Sequence, residues 1–153
     1  MFSKILYPTD FSKEAEKALN YVKKLKDAGC REVVILHVVD VAVVEAYEDA
    51  FVWAGKDVEE ETKKLDEALI EKAKAKLKAI AEELEREGLK VKVVVKIGSP
   101  WEVIVETAED EKVSLILMGA HGCGRLGCAI EKLIGSTAEN VIRHAKVPVM
   151  VVR

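Results

Sequence analysis

The sequence contains no glutamine, and only three cysteines, three histidines and three prolines occur among its 153 residues. The cysteines, Cys30, Cys123 and Cys128, are too few for a disulfide framework. The charged residues are mostly lysine and glutamate, which together with the absence of glutamine is typical of a thermophilic source. Folding must therefore depend on a hydrophobic core, and the chain length fits one domain spanning residues 1–153.

Two further absences concern partners and location. The 24 basic and 27 acidic residues are interspersed and give a net charge of −3, with no basic arm or stripe of the kind that binds nucleic acid. No secretory leader pattern opens the chain, and no apolar run is long enough to cross a bilayer. We expect a cytoplasmic protein that binds neither nucleic acid nor a membrane.

Apolar segments alternate with helical patterns along the chain. Strands are predicted over residues 5–7, 33–39, 91–97, 113–118 and 147–152. Helices are predicted from the cap Ser12 to the stop at Gly29, over 57–87 with Gly88 as the stop, and over 101–111 with Pro100 at the first turn. The last helix opens with a capping box, Ser136 to Glu139, and has Val141, Ile142 and Ala145 facing inward. Residues 41–56 fit either a short helix or a mobile connection.

This alternation predicts an α/β fold. Strands that are apolar throughout, separated by helices, indicate a five-stranded parallel sheet with helices on both faces. Pro148 lacks an N–H, which places the last strand at a sheet edge. Such sheets bind ligands beyond the carboxyl ends of their strands where the strand order reverses, and three loops compete for that place: residues 8–10, residues 37–40 and the loop after the fourth strand.

The loop after the fourth strand is rich in glycine. Residues 118–139 read MGAHGCGRLGCAIEKLIGSTAE and hold five of the nine glycines of the chain. Glycine lets backbone N–H groups approach an anion, and the start of the following helix carries partial positive charge. The order of strand, glycine loop and helix predicts a phosphate site. A flexible surface loop is the alternative.

Several of these segments together resemble the universal stress protein family. The resemblance lies in KILYPTDFS (4–12), LHVVD (36–40), GSP (98–100), MGAHG (118–122), GSTAENVI (135–142) and VPVMVV (147–152). It covers nearly the whole chain in order. It implies a sheet in strand order 3-2-1-4-5 and a homodimer paired through the last strand, Val147–Val152.

One subgroup of that family binds ATP or related adenine nucleotides through a G-x2-G-x9-G-[S/T] motif. This chain has Gly119-x2-Gly122 and Gly135-Ser136, but twelve residues rather than nine separate Gly122 from Gly135. Starting instead from Gly124-x2-Gly127 leaves only seven. Three residues therefore look inserted within 123–129, which affects where the phosphates would lie.

The resemblance implies a set of nucleotide-binding residues. Around the nucleoside it places Pro8, Thr9, Asp10 and Val38, with the Val38 backbone reading the adenine edge; on the ribose and phosphates it places Gly119, Gly122, Gly135, Ser136 and Thr137. Three further candidates come from the residues themselves: Met118 as an apolar wall to the base, His121 as a phosphate donor or acid–base group, and Arg125 as a partner for a phosphate. The implied ligand is ATP, or AMP or ADP, with or without Mg²⁺ or Mn²⁺.

Plainer roles compete at several of these positions. The Asp10 carboxylate can form the turn before a helix, and Ser136 can cap the last helix. Met118 can be ordinary core. His121 can be structural and Arg125 a solvated surface residue.

A metal or redox role for the glycine loop has less support. His121, Cys123 and Cys128 lack the fourth ligand of a zinc site, and small residues filling a tight loop explain the two cysteines. The alternative is a disulfide between Cys123 and Cys128, which occurs in some thermophile cytosols. We predict no metal site of the protein's own and assign no catalytic residue.

Three functions remain open from the sequence. The first is an adenine-nucleotide-binding stress-response regulator that acts as a homodimeric switch on an unknown protein partner. The second is a slow ATPase, although the chain contains no G-x4-GK[ST] loop and no SGGxDS-like loop after the first strand. The third is a dimeric interaction module that needs no nucleotide.

Overall fold

The computed structural model describes residues 1–120 and 134–153. Its elements in chain order are β1 Lys4–Pro8, α1 Lys13–Leu25, β2 Glu32–Asp40, α2 Val41–Trp53, α3 Val58–Arg86, β3 Lys90–Gly98, α4 Pro100–Asp110, β4 Leu115–Gly119, α5 Ser136–His144 and β5 Val149–Val152.

These strands form one parallel sheet in the order β3-β2-β1-β4-β5. The predicted fold class and strand order are therefore confirmed, and β5 lies at an edge as Pro148 indicates. In the β1–β2 register, Lys4 pairs with Glu32 and Pro8 with Leu36, whereas β2 continues to Asp40, which pairs with Gly98 of β3. The end of β2 thus extends past the end of β1.

Alternation along the central strands divides the core into two layers. Ile5 and Tyr7 of β1 pack with α1 and α3 on one face, and Leu6 packs with α4 and α5 on the other. Since side chains on a strand alternate between faces, a strand that is apolar throughout supplies both layers. This explains why β1, β2 and β4 read as continuous apolar runs.

Local signals fix most helix ends where they were predicted. The Ser12 hydroxyl accepts a hydrogen bond from Ala15 N at 3.2 Å at the start of α1, and Pro100 is the first residue of α4. Gly29 and Gly88 follow α1 and α3 with φ of 99° and 89°, a conformation that glycine adopts without strain.

The structure decides one open segment and corrects two predictions. Residues 41–53 form α2, capped by the Asp40 carboxylate, which accepts from Ala42 N at 2.9 Å. The predicted capping box at Ser136 is wrong, because Gly135 is the cap residue of α5 and makes no side-chain bond. Ile142, predicted to face inward, is 45% exposed.

Two strands begin two residues later than predicted. The fourth strand begins at Leu115 rather than 113, because Lys112 takes a φ of 52° and Val113 N still donates to Ala108 O of α4. The last strand begins at Val149, directly after Pro148.

Candidate functional site

The candidate site lies at the carboxyl ends of β1 and β4. In the observed order, the chain runs from β1 outward through β2 to β3, then crosses back over β1 to β4 and continues outward to β5, so the strand order reverses at β1. The crevice formed at such a point is where open parallel sheets bind ligands. Pro8 is the last residue of β1, and Met118 and Gly119 are the last two residues of β4.

The turn after β1 is held by its own polar groups. Thr9 is buried, its N–H donates to Leu36 O at 2.8 Å, and its hydroxyl accepts from Phe11 N at 3.1 Å. The Asp10 carboxylate accepts from Ser12 N at 2.9 Å. Asp10 therefore performs the turn-forming role that the sequence offered as the alternative, and this bond also fixes its carboxylate at the mouth of the crevice.

Phe11 is a site residue that the sequence analysis missed. It has a φ of 64°, uncommon for a residue with a large side chain, and its ring stacks on His37 with centroids 4.7 Å apart. Lys76 Nζ of α3 lies 4.8 Å from the same ring. The stack connects the β1 turn to β2 and to the middle of α3.

His37 also hydrogen-bonds the β1 turn. Its Nδ1 lies 2.8 Å from Thr9 O, and because a carbonyl only accepts, Nδ1 must carry the proton. A histidine within an otherwise apolar strand was the sequence signal for this contact. His37 thus fixes the position of the Thr9 carbonyl.

Val38 lies one residue further along β2. Within a strand, the N–H and C=O of one residue point to the same side, and the side alternates from residue to residue. Leu36 O accepts from Thr9 N, so the Val38 backbone faces the β1 side, where β1 has already ended. The Val38 side chain packs against the same core layer that contains Met118.

The end of β4 packs closely on the start of α1. A Cβ on Gly119 would lie 2.8 Å from Ala15 N and 2.8 Å from the carbonyl carbon of Glu14. Glycine is therefore required here for packing, whatever its role toward a ligand. Met118 is 6% exposed, which fits the core role weighed for it.

A short chain of backbone hydrogen bonds brings the start of α5 to the same place. Ala120 N donates to Val152 O at 2.8 Å, and Gly135 N donates to Ala120 O at 2.7 Å. Ala120, which follows β4, and Gly135, which precedes α5, are thus joined by a hydrogen bond. Gly135, Ser136 and Thr137 consequently lie beside the end of β4.

Among residues 1–120 and 134–153, no side chain caps the first turn of α5. Gly135 precedes the helix, Ser136 is its exposed first residue, and the Glu139 carboxylate pairs with Arg143 at 2.9 Å instead of returning to the cap. The first N–H groups of a helix have no partner within it. Because no side chain of the described residues caps these N–H groups, they and the positive end of the helix dipole form a favourable site for an anion.

Tyr7 lies beneath the site and is unsuited to proton transfer. Its hydroxyl donates to Ala15 O at 2.5 Å and its side chain is 1% exposed. The pKa of Tyr7 is raised to about 12: burial is the largest cause, a hydrogen bond with Thr9 opposes it, and the nearby Asp10, Glu16 and Glu83 charges add to the rise. Tyr7 is therefore a neutral structural donor.

Some predicted residues cannot be placed. His121, Gly122 and Arg125, together with Cys123 and Cys128, lie outside the described residues. Within residues 1–120 and 134–153, no group of three or more His, Cys, Asp or Glu side chains is arranged to hold a metal ion. In the same ranges, every helix is too short or too polar to cross a membrane.

The fold and the crevice define a class, the open parallel α/β domains that bind ligands where the strand order reverses. Within that class, the universal stress protein family model matches residues 1–153. The universal stress protein MJ0577 of Methanocaldococcus jannaschii is 44% identical, over 100% of this chain and 96% of that protein. The chain belongs to the universal stress protein family, and the resemblance is confirmed.

Solved structures agree. The structure of MJ0577 has a TM-score of 0.85 at 45% identity and covers 99% of this chain and 96% of that chain. Two more distant structures share the fold at 18% and 19% identity, with TM-scores of 0.63 and 0.62; alignments to them cover 99% and 100% of this chain and 97% and 98% of theirs. One is a universal stress protein in complex with cAMP, and the other is the universal stress protein from Archaeoglobus fulgidus in complex with dAMP.

Proposed function

We propose that this universal stress protein binds an adenine nucleotide, ATP in particular, at the crevice between β1 and β4, and acts as a homodimeric regulatory switch. The observation that carries the proposal is the start of α5, which no side chain of the described residues caps and which Gly135 and Ala120 join to the end of β4. It offers backbone donors for phosphate at the place where this fold binds ligands.

The described residues fit each part of a nucleotide. Val38 and Met118 belong to one apolar layer and supply a wall for a base, while the Val38 backbone faces the crevice. Pro8, Thr9 and Asp10 form the turn beside it, with Thr9 fixed by His37. Gly119, Gly135, Ser136 and Thr137 lie on the phosphate side, and His121, Gly122 and Arg125 complete the proposed set.

A divalent ion would accompany the phosphates rather than occupy a cage of its own. Mg²⁺ is usually held by one or two carboxylates together with phosphate oxygens and water. Asp10 is the carboxylate at this mouth, and its bond from Ser12 N fixes its orientation. Mg²⁺ or Mn²⁺ there would neutralise phosphate charge.

Two related structures support the choice of ligand. They are the universal stress protein complexes with cAMP and with dAMP, and both of these ligands are adenine nucleotides. At their low identity they indicate that the shared fold can hold such a ligand; the residues that do so here are argued from this chain.

The first test uses the protein as purified. Small molecules released on denaturation are identified by mass, and we expect an adenine nucleotide. Labelled ATP is then titrated into protein freed of nucleotide, with and without Mg²⁺. The absence of saturable binding up to millimolar concentration would reject the proposal and leave the nucleotide-independent module.

A charge placed on α5 tests the location of the phosphates. In Ser136→Glu a carboxylate replaces an exposed hydroxyl at the first position of the helix, where the dipole favours negative charge, so the fold should be as stable or slightly more so. The same carboxylate should repel phosphate and weaken ATP binding about tenfold.

The matched control is Ser3→Glu. Ser3 is exposed and directly precedes β1, at the amino-terminal ends of the strands and therefore at the opposite end of the sheet from the proposed site. This variant should bind ATP as the unmodified protein does. Equal affinity in Ser136→Glu and Ser3→Glu would show that the phosphates lie elsewhere.

The same samples address the ATPase alternative. ADP release is followed over hours, and Asp10→Ala is compared with the unmodified chain. Turnover that Asp10→Ala abolishes while ATP still binds would establish an enzyme.

A further inference from the structure

The α2 helix is apolar but lies on the surface. Ten of its thirteen residues are apolar and the other three are acidic, yet only Val44 is buried. Tyr47 is 49% exposed, Val52 63% and Trp53 91%. A helix that is apolar all round is normally covered, and large exposed apolar patches mark interaction sites.

A cleft adjoins this helix. It has a volume of about 560 Å³ and lies between α2 and the first turns of α3. Val58 and Ile70 contribute apolar surface, and four carboxylates against one lysine make the charged part of the lining acidic: Glu48, Glu59, Asp66 and Glu67, with Lys63. Thr62 Oγ1 and Asp66 Oδ1 are buried atoms without a hydrogen-bond partner in the described structure. We call α2 and this part of α3, residues 41–70, the α2–α3 face.

The α2–α3 face is also the acidic part of the molecule. Residues 41–70 contain nine Asp or Glu and three Lys, a net charge of −6, whereas the whole chain carries −3. One of those lysines, Lys64, already pairs with Glu60 and Glu61 of the same helix. The rest of the protein is therefore net basic by three charges, and the acid is concentrated where the apolar side chains are exposed.

We propose that the α2–α3 face is a docking surface for a basic amphipathic helix of another protein. Such a helix would place an apolar stripe against Val43, Tyr47 and Trp53, and basic side chains beside Glu48, Asp66 and Glu67. Charge complementarity selects this occupant and suppresses acidic ones. The inference does not rest on nucleotide binding.

Charge argues against the other two occupants. An anionic membrane surface attracts basic segments and would repel a face of net charge −6. In a second copy of this chain, the surface that combines basic and apolar side chains would be the β3 edge. Its lysines already have partners within their own chain: Lys90 pairs with Glu32, Lys92 pairs with Glu111, and Lys96 donates to the Thr107 hydroxyl.

The test measures the anisotropy of a labelled leucine–lysine peptide of roughly 18 residues, with leucines at helical spacing, titrated with the nucleotide-free full chain. We expect saturable binding that weakens with salt. A scrambled peptide of equal composition should bind at least about tenfold more weakly. Equal binding of the two peptides would overturn the proposal.

Variants locate the surface. Tyr47→Ser with Trp53→Ser removes two exposed aromatic side chains and should weaken binding about tenfold or more. Tyr21 lies on α1 and is about as exposed as Tyr47, and Tyr21→Ser should leave binding unchanged. Glu48→Lys with Glu67→Lys should weaken binding, and Glu102→Lys on α4 should not. Unchanged affinity in the Tyr47/Trp53 variant would overturn the proposal. So would a homodimer that only this variant dissociates, because the α2–α3 face would then be the contact between two copies of this chain.

Discussion

At the scale of a residue, the Tyr7 phenol is buried and donates a hydrogen bond to Ala15 O, so the stability of the protein depends on pH in the alkaline range. Its pKa is raised from 10.0 to about 12 in the folded chain. Since the folded state holds the proton more tightly than the unfolded state, the contribution is fully present below pH 10 and is lost as the pH rises from 10 toward 12. The loss is about 3 kcal/mol for a shift of this size.

Tyr7→Phe should therefore change the sign of its effect with pH. Near neutral pH it loses the bond to Ala15 O and should destabilise the protein by about 1 kcal/mol. Toward pH 12 the unmodified protein is destabilised because its phenol ionises more readily in the unfolded state. The Tyr7→Phe variant has no phenol at this position, so it should become the more stable of the two proteins. Urea unfolding at several pH values measures this, with the half-exposed Tyr21→Phe as control. A difference that stays constant with pH would contradict the argument.

At the scale of elements, the contact between β4 and α1 depends on the missing side chain of Gly119. The atoms that a Cβ would meet belong to the backbone of the first turn of α1, so they can move only if the helix moves. Gly119→Ala should cost roughly 1–3 kcal/mol in the free energy of unfolding.

Gly98→Ala is the matched control, since the atom within 2.7 Å of its Cβ is a methyl group of Val103 and not backbone. Its loss of stability should be smaller, as measured by chemical denaturation of both variants. If the two substitutions cost the same, the close approach of α1 is not what selects glycine at 119.

The elements also show which parts could be predicted from sequence. Apolar strands, the Ser12 cap and Gly29 and Gly88 were sufficient for the fold, because each is a local signal that agrees with the sheet. The segment 41–53 could not be assigned, since a helix apolar on all sides has no periodicity. The Ser136 capping box failed because Gly135 precedes the helix and Glu139 pairs with Arg143. The stack of Phe11 on His37 joins the turn after β1 to β2, and no local pattern indicates such a contact between distant residues.

At the scale of the whole molecule, three surfaces of different chemistry are connected by β2 and β4. The proposed nucleotide mouth lies at the carboxyl edge of the sheet. Asp40, two residues beyond Val38, caps α2, so the α2–α3 face begins directly beside that mouth. Gly119 pairs with Val152 at the end of β5, the strand that the family resemblance assigns to the dimer. Each outer surface is thus joined to the mouth through a short segment of strand.

The proposed dimer can be tested through the unpaired edge of β5. Pro148 O and Val152 O face β4, so alternation turns the Val151 N–H outward, toward a second copy. Val151→Pro removes that donor without removing a hydrogen bond to β4, and should convert a dimer into a monomer in sedimentation.

Val93→Pro is the control on β3, at the other edge of the sheet. It removes an outward N–H without removing a hydrogen bond to β2, because Lys90 N faces β2 and alternation turns Val93 outward. The β3 variant should remain dimeric. Dissociation by Val93→Pro alone would place the interface at the opposite edge of the sheet, and a Val151→Pro protein that stays dimeric would exclude pairing through β5.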